Sequence, residues 1–402
     1  MHTNKPTCVL LTSLILLGVL LSACSPSAKA NPVDPTQAFQ NALLTATYAL
    51  ISPTEPPTPA PPTGTPTPTI IPTETPDPNR TPPALPGEFQ TDFLKPGDTP
   101  HTYIQDACQV IKSRWDPNNS APGTVVMPIM FHSITDGEVT HIDQIHVTQF
   151  NQLMNDLANQ GFQAITMQQF ADFMEKNAKI PPRSVLLIVD DRKRSAYFET
   201  HFKPYFDSWG WKVTNAWISA VDTPDYLWQE NQSLEAAGYV DHQAHGVVHN
   251  EPVGEYSPED YIRSELFGSI EAIEKYYGKR PIAYIWPGGG FTKKAAEIAR
   301  EAGYRLGFTI NPRGPVMFNW VPLADASDPA RPSYIPEGQI NDPLMVLPRY
   351  WDTDAVAHID TVRQLGKAAA AYAQENMQTE LEYYDIVCKP TLGPIPTLPP
   401  QQ

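Results

Sequence analysis

From Thr124 onward, short apolar runs alternate with longer stretches whose apolar residues recur every three or four positions. This alternation restricts the fold more than any other feature. TVVMPIMF, SVLLIV, WKVTNAWI, PIAYIW and LGFTI read as strands. VTQFNQLMNDLANQG, YLWQENQSLEAAG, YSPEDYIRSELFGSIEAIEKYYG and TKKAAEIAREAG read as helices, the last ended by Gly303. LMVL precedes a final helix from about Asp354 to Met377. Strands apolar at consecutive positions are buried on both faces, so the pattern predicts a parallel sheet covered by helices, an α/β fold.

The polar residues that carry chemistry fall just past these strands. His132 follows TVVMPIMF, Asp190 and Asp191 follow SVLLIV, Pro287 onward follows PIAYIW, and Arg349 follows LMVL. Parallel α/β folds build their sites at the carboxyl ends of strands, so one rim is expected to collect all four. One Asp and two His form a plausible ligand set for a zinc-type hydrolytic site, and a second Asp can serve as its base. Asp190-Asp191 with His245-x-x-x-His249 supplies such a set. The competing reading of the Asp pair is a turn or cap. His242 is an alternative ligand, though a place beside the site suits it better. In YIWPGGG the glycines let backbone amides approach a substrate, and an amide near Gly288 suits an oxyanion. A tight glycine turn competes with that reading, and no GxGxxG or GxxxxGK pattern supports a phosphate loop.

The chain ends describe an exported protein. Residues 1–23 hold Lys5 and the apolar CVLLTSLILLGVLL, a pattern too short for a comfortable bilayer span and typical of a signal peptide. Leu21-Ser22-Ala23-Cys24 resembles the bacterial lipobox, which implies lipid on Cys24 and a peripheral anchor. Conventional cleavage near Ser27 and Ala30 is the competing reading. Residues 24–51 form an anchor-proximal segment. Residues 52–99 form a Pro/Thr-rich linker, with 14 prolines between Pro53 and Pro86. Extended polyproline at about 3 Å per residue would hold a domain roughly 100 Å from the anchor. All eight tryptophans lie between Trp115 and Trp351, so the folded domain is placed at 100–390, with a Pro-rich tail over 391–402. In an oxidising exterior Cys108 and Cys388 can pair, closing a loop of about 280 residues, the alternative being two buried thiols. A net charge of −16 argues against nucleic acid or an anionic membrane surface as the main partner.

PIMFHSITDG and the stretch from VTQFNQLMNDL to SVLLIVDD resemble the N-terminal half of polysaccharide deacetylases of the NodB-homology type (carbohydrate esterase family 4-like). HGVVH matches their HxxxH motif, YIWPGGG stands where many have a YPYG-like segment, and EAGYRLGFTI and LMVLPRY match later blocks. The resemblance spans roughly Thr124 to Asp352. It implies a distorted, incomplete (β/α) barrel and a divalent metal, zinc in the first instance. By motif, Asp190 is the expected general base, and Asp191, His245 and His249 the metal ligands. There are departures. The usual TFDDG is IVDDR here, so Arg192 stands beside the pair, where it can crowd the cleft or bind Asp190. The RxPxG motif has become Ile285-Trp286-Pro287-Gly288-Gly289, and no Leu-x-His supplies the usual acid. His132 and Arg349 are the expected compensating catalytic residues, with His132 as acid.

The resulting expectation is a metal-dependent hydrolase that removes N-acetyl groups from an extracellular amino-sugar polysaccharide. Trp286, Tyr350 and Trp351 are candidate sugar-stacking surfaces, each competing with a place in the core. The expected partners are an acetylated cell-wall or exopolysaccharide and, through an N-terminal lipid, the outer side of a bacterial cell membrane. No obligate protein partner is implied. The alternatives are a non-catalytic, lipid-anchored glycan-binding protein with a degenerate site, and an O-acetyl esterase on a similar polymer.

Overall fold

A computed structural model describes residues 80–248, 251–327, 329 and 335–397. The expected signal, lipid-bearing Cys24, anchor-proximal segment and most of the linker lie outside the described residues, as does His249.

In chain order, Asp98–His101 (β1) and Ala107–Trp115 (α1) precede the first central strand, Val125–Phe131 (β2). Ser133–Thr135 (β3), Gln144–His146 (β4), Val147–Asn159 (α2), Gln163–Ala164 (β5) and Met167–Lys176 (α3) lead to Arg183–Asp190 (β6). Ser195–His201 (α4), Lys203–Trp209 (α5), Val213–Trp217 (β7), Asp225–Ala237 (α6), Val240–Ala244 (β8) and Glu259–Tyr277 (α7) follow. Then come Ala283–Ile285 (β9), Lys293–Glu301 (α8), Leu306–Phe308 (β10), Val321–Ala324 (β11), Tyr350–Trp351 (β12), Asp352–Tyr383 (α9) and Lys389–Leu392 (α10).

The main sheet is parallel, in the order β10-β9-β8-β7-β6-β2-β12, with β5 beside the lower half of β6. It curls into an open half-barrel, as expected for a distorted, incomplete barrel. Strands β2 and β6 are buried along almost their whole length, the reason their sequences lack polar alternation. Val125, Met127, Ile129 and Phe131 pack with Phe150, Leu153 and Leu157 of α2 and Ile359, Val362 and Leu365 of α9. Val126, Leu186 and Ile188 belong instead to the cluster that holds Phe170, Phe173, Phe308 and Leu347. Helix α3 shows how local sequence sets the ends of these elements. Thr166 and Gln169 form a reciprocal capping box, and Asn177 stops the helix in the left-handed region (φ 55°).

Two local expectations change. LMVL is a 3-10 turn at Pro343–Met345 rather than a strand, and the edge strand lies later, at Tyr350–Trp351. The last helix is longer than expected, running from Asp352 to Tyr383. Residues 80–99, expected at the end of the linker, lie against the folded unit. Arg80 pairs with Asp385 at 2.6 Å, Phe89 packs on Trp320 and Tyr372, and Asp98–His101 pairs with β11. Cys108 and Cys388 form a disulfide (Cα–Cα 5.3 Å) that ties α1 to the turn after α9. No helix among the described residues is long and apolar enough to cross a membrane.

Candidate functional site

The register of the central strands assembles the site. Phe131 lies opposite Val189 in the β2–β6 ladder, so the next residues, His132 and Asp190, come level at the carboxyl rim. Asp190 lies opposite Ala216 of β7, and β8 runs beside β7 to deliver His245 just past Ala244. On the other side Trp351 pairs with Met130, bringing Arg349 to the same rim.

Successive side chains of a strand face opposite ways, yet both acids of the pair serve this rim. The break comes at Asp191, which takes a left-handed conformation (φ 71°) that Asp tolerates better than most residues. Asn215 holds the turn, its amide donating to the carbonyls of Val189 and Asp191, both at 2.9 Å. Asp190 then accepts two bonds from Arg349, Nη1 to Oδ1 at 2.6 Å and Nη2 to Oδ2 at 2.9 Å. His132 Nε2 stands 3.6 Å from Asp190 Oδ2. Burial alone would push the Asp190 carboxyl up. The charge of Arg349 and its two hydrogen bonds outweigh it and hold the group well below the usual carboxylate range. Arg349, fully buried, is fixed from behind by its Nε bond to the Thr309 carbonyl at 2.8 Å.

Asp191 faces His245, with Oδ1 3.9 Å from Nε2. The other ring nitrogen of His245 donates to the Ile285 carbonyl at 2.7 Å. A neutral His245 therefore presents an Nε2 lone pair to a carboxylate oxygen, two acceptors facing each other beyond hydrogen-bond distance. That arrangement suits a cation between them, and a carbonyl on the remote nitrogen is the usual orienting partner of a metal-binding imidazole. Lys193 Nζ lies 3.7 Å from Asp191 Oδ2. Among the described residues, no group of three or more His, Cys, Asp or Glu is placed to hold a metal ion.

The turn that carries His245 depends on a residue that the sequence reading missed. Glu265 of α7, 1% exposed, accepts the amides of Val247 at 2.8 Å and Val248 at 3.1 Å. Gly246 is left-handed (φ 78°), and a Cβ there would sit 2.5 Å from Glu265 Oε2. The available signal was an acid on the apolar face of α7, between Ile262 and Leu266. His242 has both ring nitrogens engaged, with Glu235 at 2.7 Å and Asn231 at 3.0 Å, and is fully buried. It is a packed core histidine.

Three other expectations need correction. Trp286 is fully buried and donates its Nε1 to the Met345 carbonyl at 2.8 Å, so it is core rather than a sugar platform. Tyr350 is likewise buried, packed beside His358. Arg192 does not bind Asp190. It donates to Thr223 Oγ1 at 2.9 Å and lies 3.3 Å from Asp222, drawn towards the β7–α6 loop. Trp351 is partly exposed and stacks on His132 (5.7 Å between centroids, 15° between planes). Gly288 is exposed and left-handed (φ 57°), in a turn where an added Cβ would meet Pro252 at 3.4 Å.

His132 is shifted down, first by burial and then by Arg349 and Lys193, against the opposing pull of Asp190 and Asp191. Its Nδ1 is buried without a partner, as are Tyr197 Oη and Asp352 Oδ2.

Residues 177–307 match the family described as Polysaccharide deacetylase. No curated protein sequence matches significantly. Among solved structures, the deacetylase PplD of Streptococcus pyogenes, in complex with acetate, is 19% identical. The match covers 56% of this chain and 92% of that one, with a TM-score of 0.43. A de-N-acetylase from Aggregatibacter actinomycetemcomitans is 16% identical over 60% of this chain and 99% of that one (TM-score 0.46). A CE4 family pseudoenzyme from Bacillus anthracis is 14% identical over 45% of this chain and 60% of that one (TM-score 0.27).

Proposed function

We propose that the chain removes N-acetyl groups from an acetylated amino-sugar polysaccharide outside the cell, attached to the membrane through a lipid on Cys24. The observation that carries the chemistry is the facing pair Asp191 Oδ1 and His245 Nε2, 3.9 Å apart, beside the ionised Asp190. With His249 as third ligand, a divalent cation such as zinc would supply Lewis acidity towards the acetyl carbonyl. Asp190 takes a proton from the attacking water as the C–O bond forms. Neutral His132, 3.6 Å away, receives that proton and passes it to the nitrogen as the C–N bond breaks. Trp351 would offer a face for a sugar ring, and an amide of the Gly288 turn would serve the oxyanion.

A second reading is a glycan-binding protein without turnover. It is supported by the double hold of Arg349 on Asp190, which weakens that base. The described residues fit this reading as they stand.

Acetate release from N-acetylglucosamine oligomers separates the two, with Asp190→Asn as the control. Release that disappears on chelation and returns with zinc supports hydrolysis. Binding without release supports the second reading, and release from acetyl-xylan alone marks an O-acetyl esterase. Mass spectrometry of the mature N-terminus tests the lipid on Cys24.

A further inference from the structure

We propose that Asp352 forms a subsite for a free ammonium group beside this centre, so that the chain prefers a partly de-N-acetylated, cationic polymer to a fully acetylated one. The inference rests on the polysaccharide reading above and names the class of polymer within it.

Asp352 is the first residue after β12. The pairing of Tyr350 with Ile129 and Trp351 with Met130 brings it level with Phe131, one step from His132 on the same rim. It is 1% exposed. One carboxyl oxygen accepts the Thr353 amide at 2.8 Å, whereas Oδ2 is buried with no partner. A buried carboxyl oxygen without a partner is costly, and it marks a place where a partner is expected.

The surroundings select a cation. Burial first, and then the charges of Asp143 and Asp190, push the Asp352 carboxyl up to about 7, against the pull of the Thr353 amide. Tyr197, whose hydroxyl is also buried and unpartnered, feels Asp352 ahead of Asp191 and Asp190. The Tyr197 ring faces Lys193 at 5.6 Å and His201 at 5.2 Å. Residues 132–146, which include Asp143, carry Asp136 and Glu138 as well and contain no Lys or Arg. The basic groups nearby are engaged elsewhere: Arg349 by Asp190, Lys193 by Asp191, Arg192 by Asp222 and Arg194 by Glu230.

An ammonium group supplies three donors and a positive charge, answering both the bare oxygen and the two carboxylates. An acetamido group supplies one donor and no charge. Trp351, adjacent in sequence and partly exposed, would carry the ring of the same sugar. As the ammonium docks, neutral Asp352 ionises and its proton leaves to solvent.

Calorimetry with the full chain tests this at pH 6.5, using a glucosamine tetramer and an N-acetylglucosamine tetramer in two buffers of different ionisation enthalpy. The expected result is roughly fivefold or tighter binding of the glucosamine tetramer, weakened by salt. Proton release should accompany its binding and not that of the acetylated tetramer. Asp352→Asn, and separately the loop variant Asp143→Asn, should bring the two affinities together. Equal affinities in the native chain, or a preference that survives in both variants, overturn the subsite. Acetate release without any amine preference overturns the subsite alone, whereas failure to bind either tetramer overturns it together with the glycan reading.

Discussion

Asp190 and Arg349 meet through two parallel bonds of 2.6 and 2.9 Å in a place where neither side chain is more than 2% exposed. The pair joins β6 to the segment before β12, 159 residues apart in sequence. Removing one partner of such a pair leaves a buried, uncompensated charge, at a cost of about 3–5 kcal/mol. Arg349→Met should therefore destabilise strongly, while Asp190→Asn with Arg349→Met should recover much of that loss. Denaturant melts of both variants and of Asp190→Asn give the coupling, and strict additivity would sink the account.

The same pair gives acid pH a direction. Arg349, by its charge and its two hydrogen bonds, holds the Asp190 carboxyl below its ordinary value despite burial. A carboxylate depressed in the folded state adds stability above its unfolded pKa, near 3.8, and that stability is lost as pH falls through the lower folded value. The native chain should thus lose stability below about pH 4 more steeply than Asp190→Asn. Parallel acid melts would count against the pairing.

Gly246 and Glu265 make the turn that presents His245. Gly246→Ala adds a Cβ at positive φ, 2.5 Å from Glu265 Oε2, so both strain and contact oppose it. The substitution should cost roughly 2–4 kcal/mol and release the Val247 and Val248 amides. Hydrogen exchange at those two amides should rise by orders of magnitude. Unchanged protection would mean that Glu265 does not hold the turn.

Much of this site was legible because β2, β6 and β8 announce themselves as apolar runs, and the residues just past them are His132, Asp190, Asp191 and His245. What sequence could not give was which way side chains turn once the strand ends. Arg192 stands beside Asp190 in the chain yet binds Thr223, because Asp191 reverses the backbone between them. Trp286 and Tyr350 carry the composition of a sugar platform, and only packing shows that Met345 and His358 cover them. Asn215 and Glu265 were hidden for the opposite reason: each is a polar residue whose partners are backbone groups far away in sequence.

The disulfide should matter for the domain ends and little for the rim. Cys108–Cys388 adjoins a small apolar cluster of Ile111, Tyr384, Leu85 and Trp115, separate from the core around β2 and β6. Reduction should lower stability by roughly 2–4 kcal/mol, with early fraying at α1 and the turn after α9. Limited proteolysis checks this, and first cuts in the β6–α4 loop instead would place the weak point elsewhere.

Asp352 makes a pH prediction opposite in sign to that of Asp190. Burial, with Asp143 and Asp190, raises its carboxyl from 3.8 to about 7 in the folded chain. The unfolded chain ionises near 3.8, so folding is favoured by the neutral group below that pH and loses the advantage as pH rises towards 7. The penalty should level off above about pH 7 at no more than roughly 2–4 kcal/mol. Asp352→Asn keeps the shape and cannot ionise, so it should be the more stable protein at pH 8 and lose the slope between pH 4 and 7. Chemical denaturation at pH 5 and pH 8 decides the matter: an asparagine variant less stable than the native chain at both values would show that Asp352 is already ionised and paired.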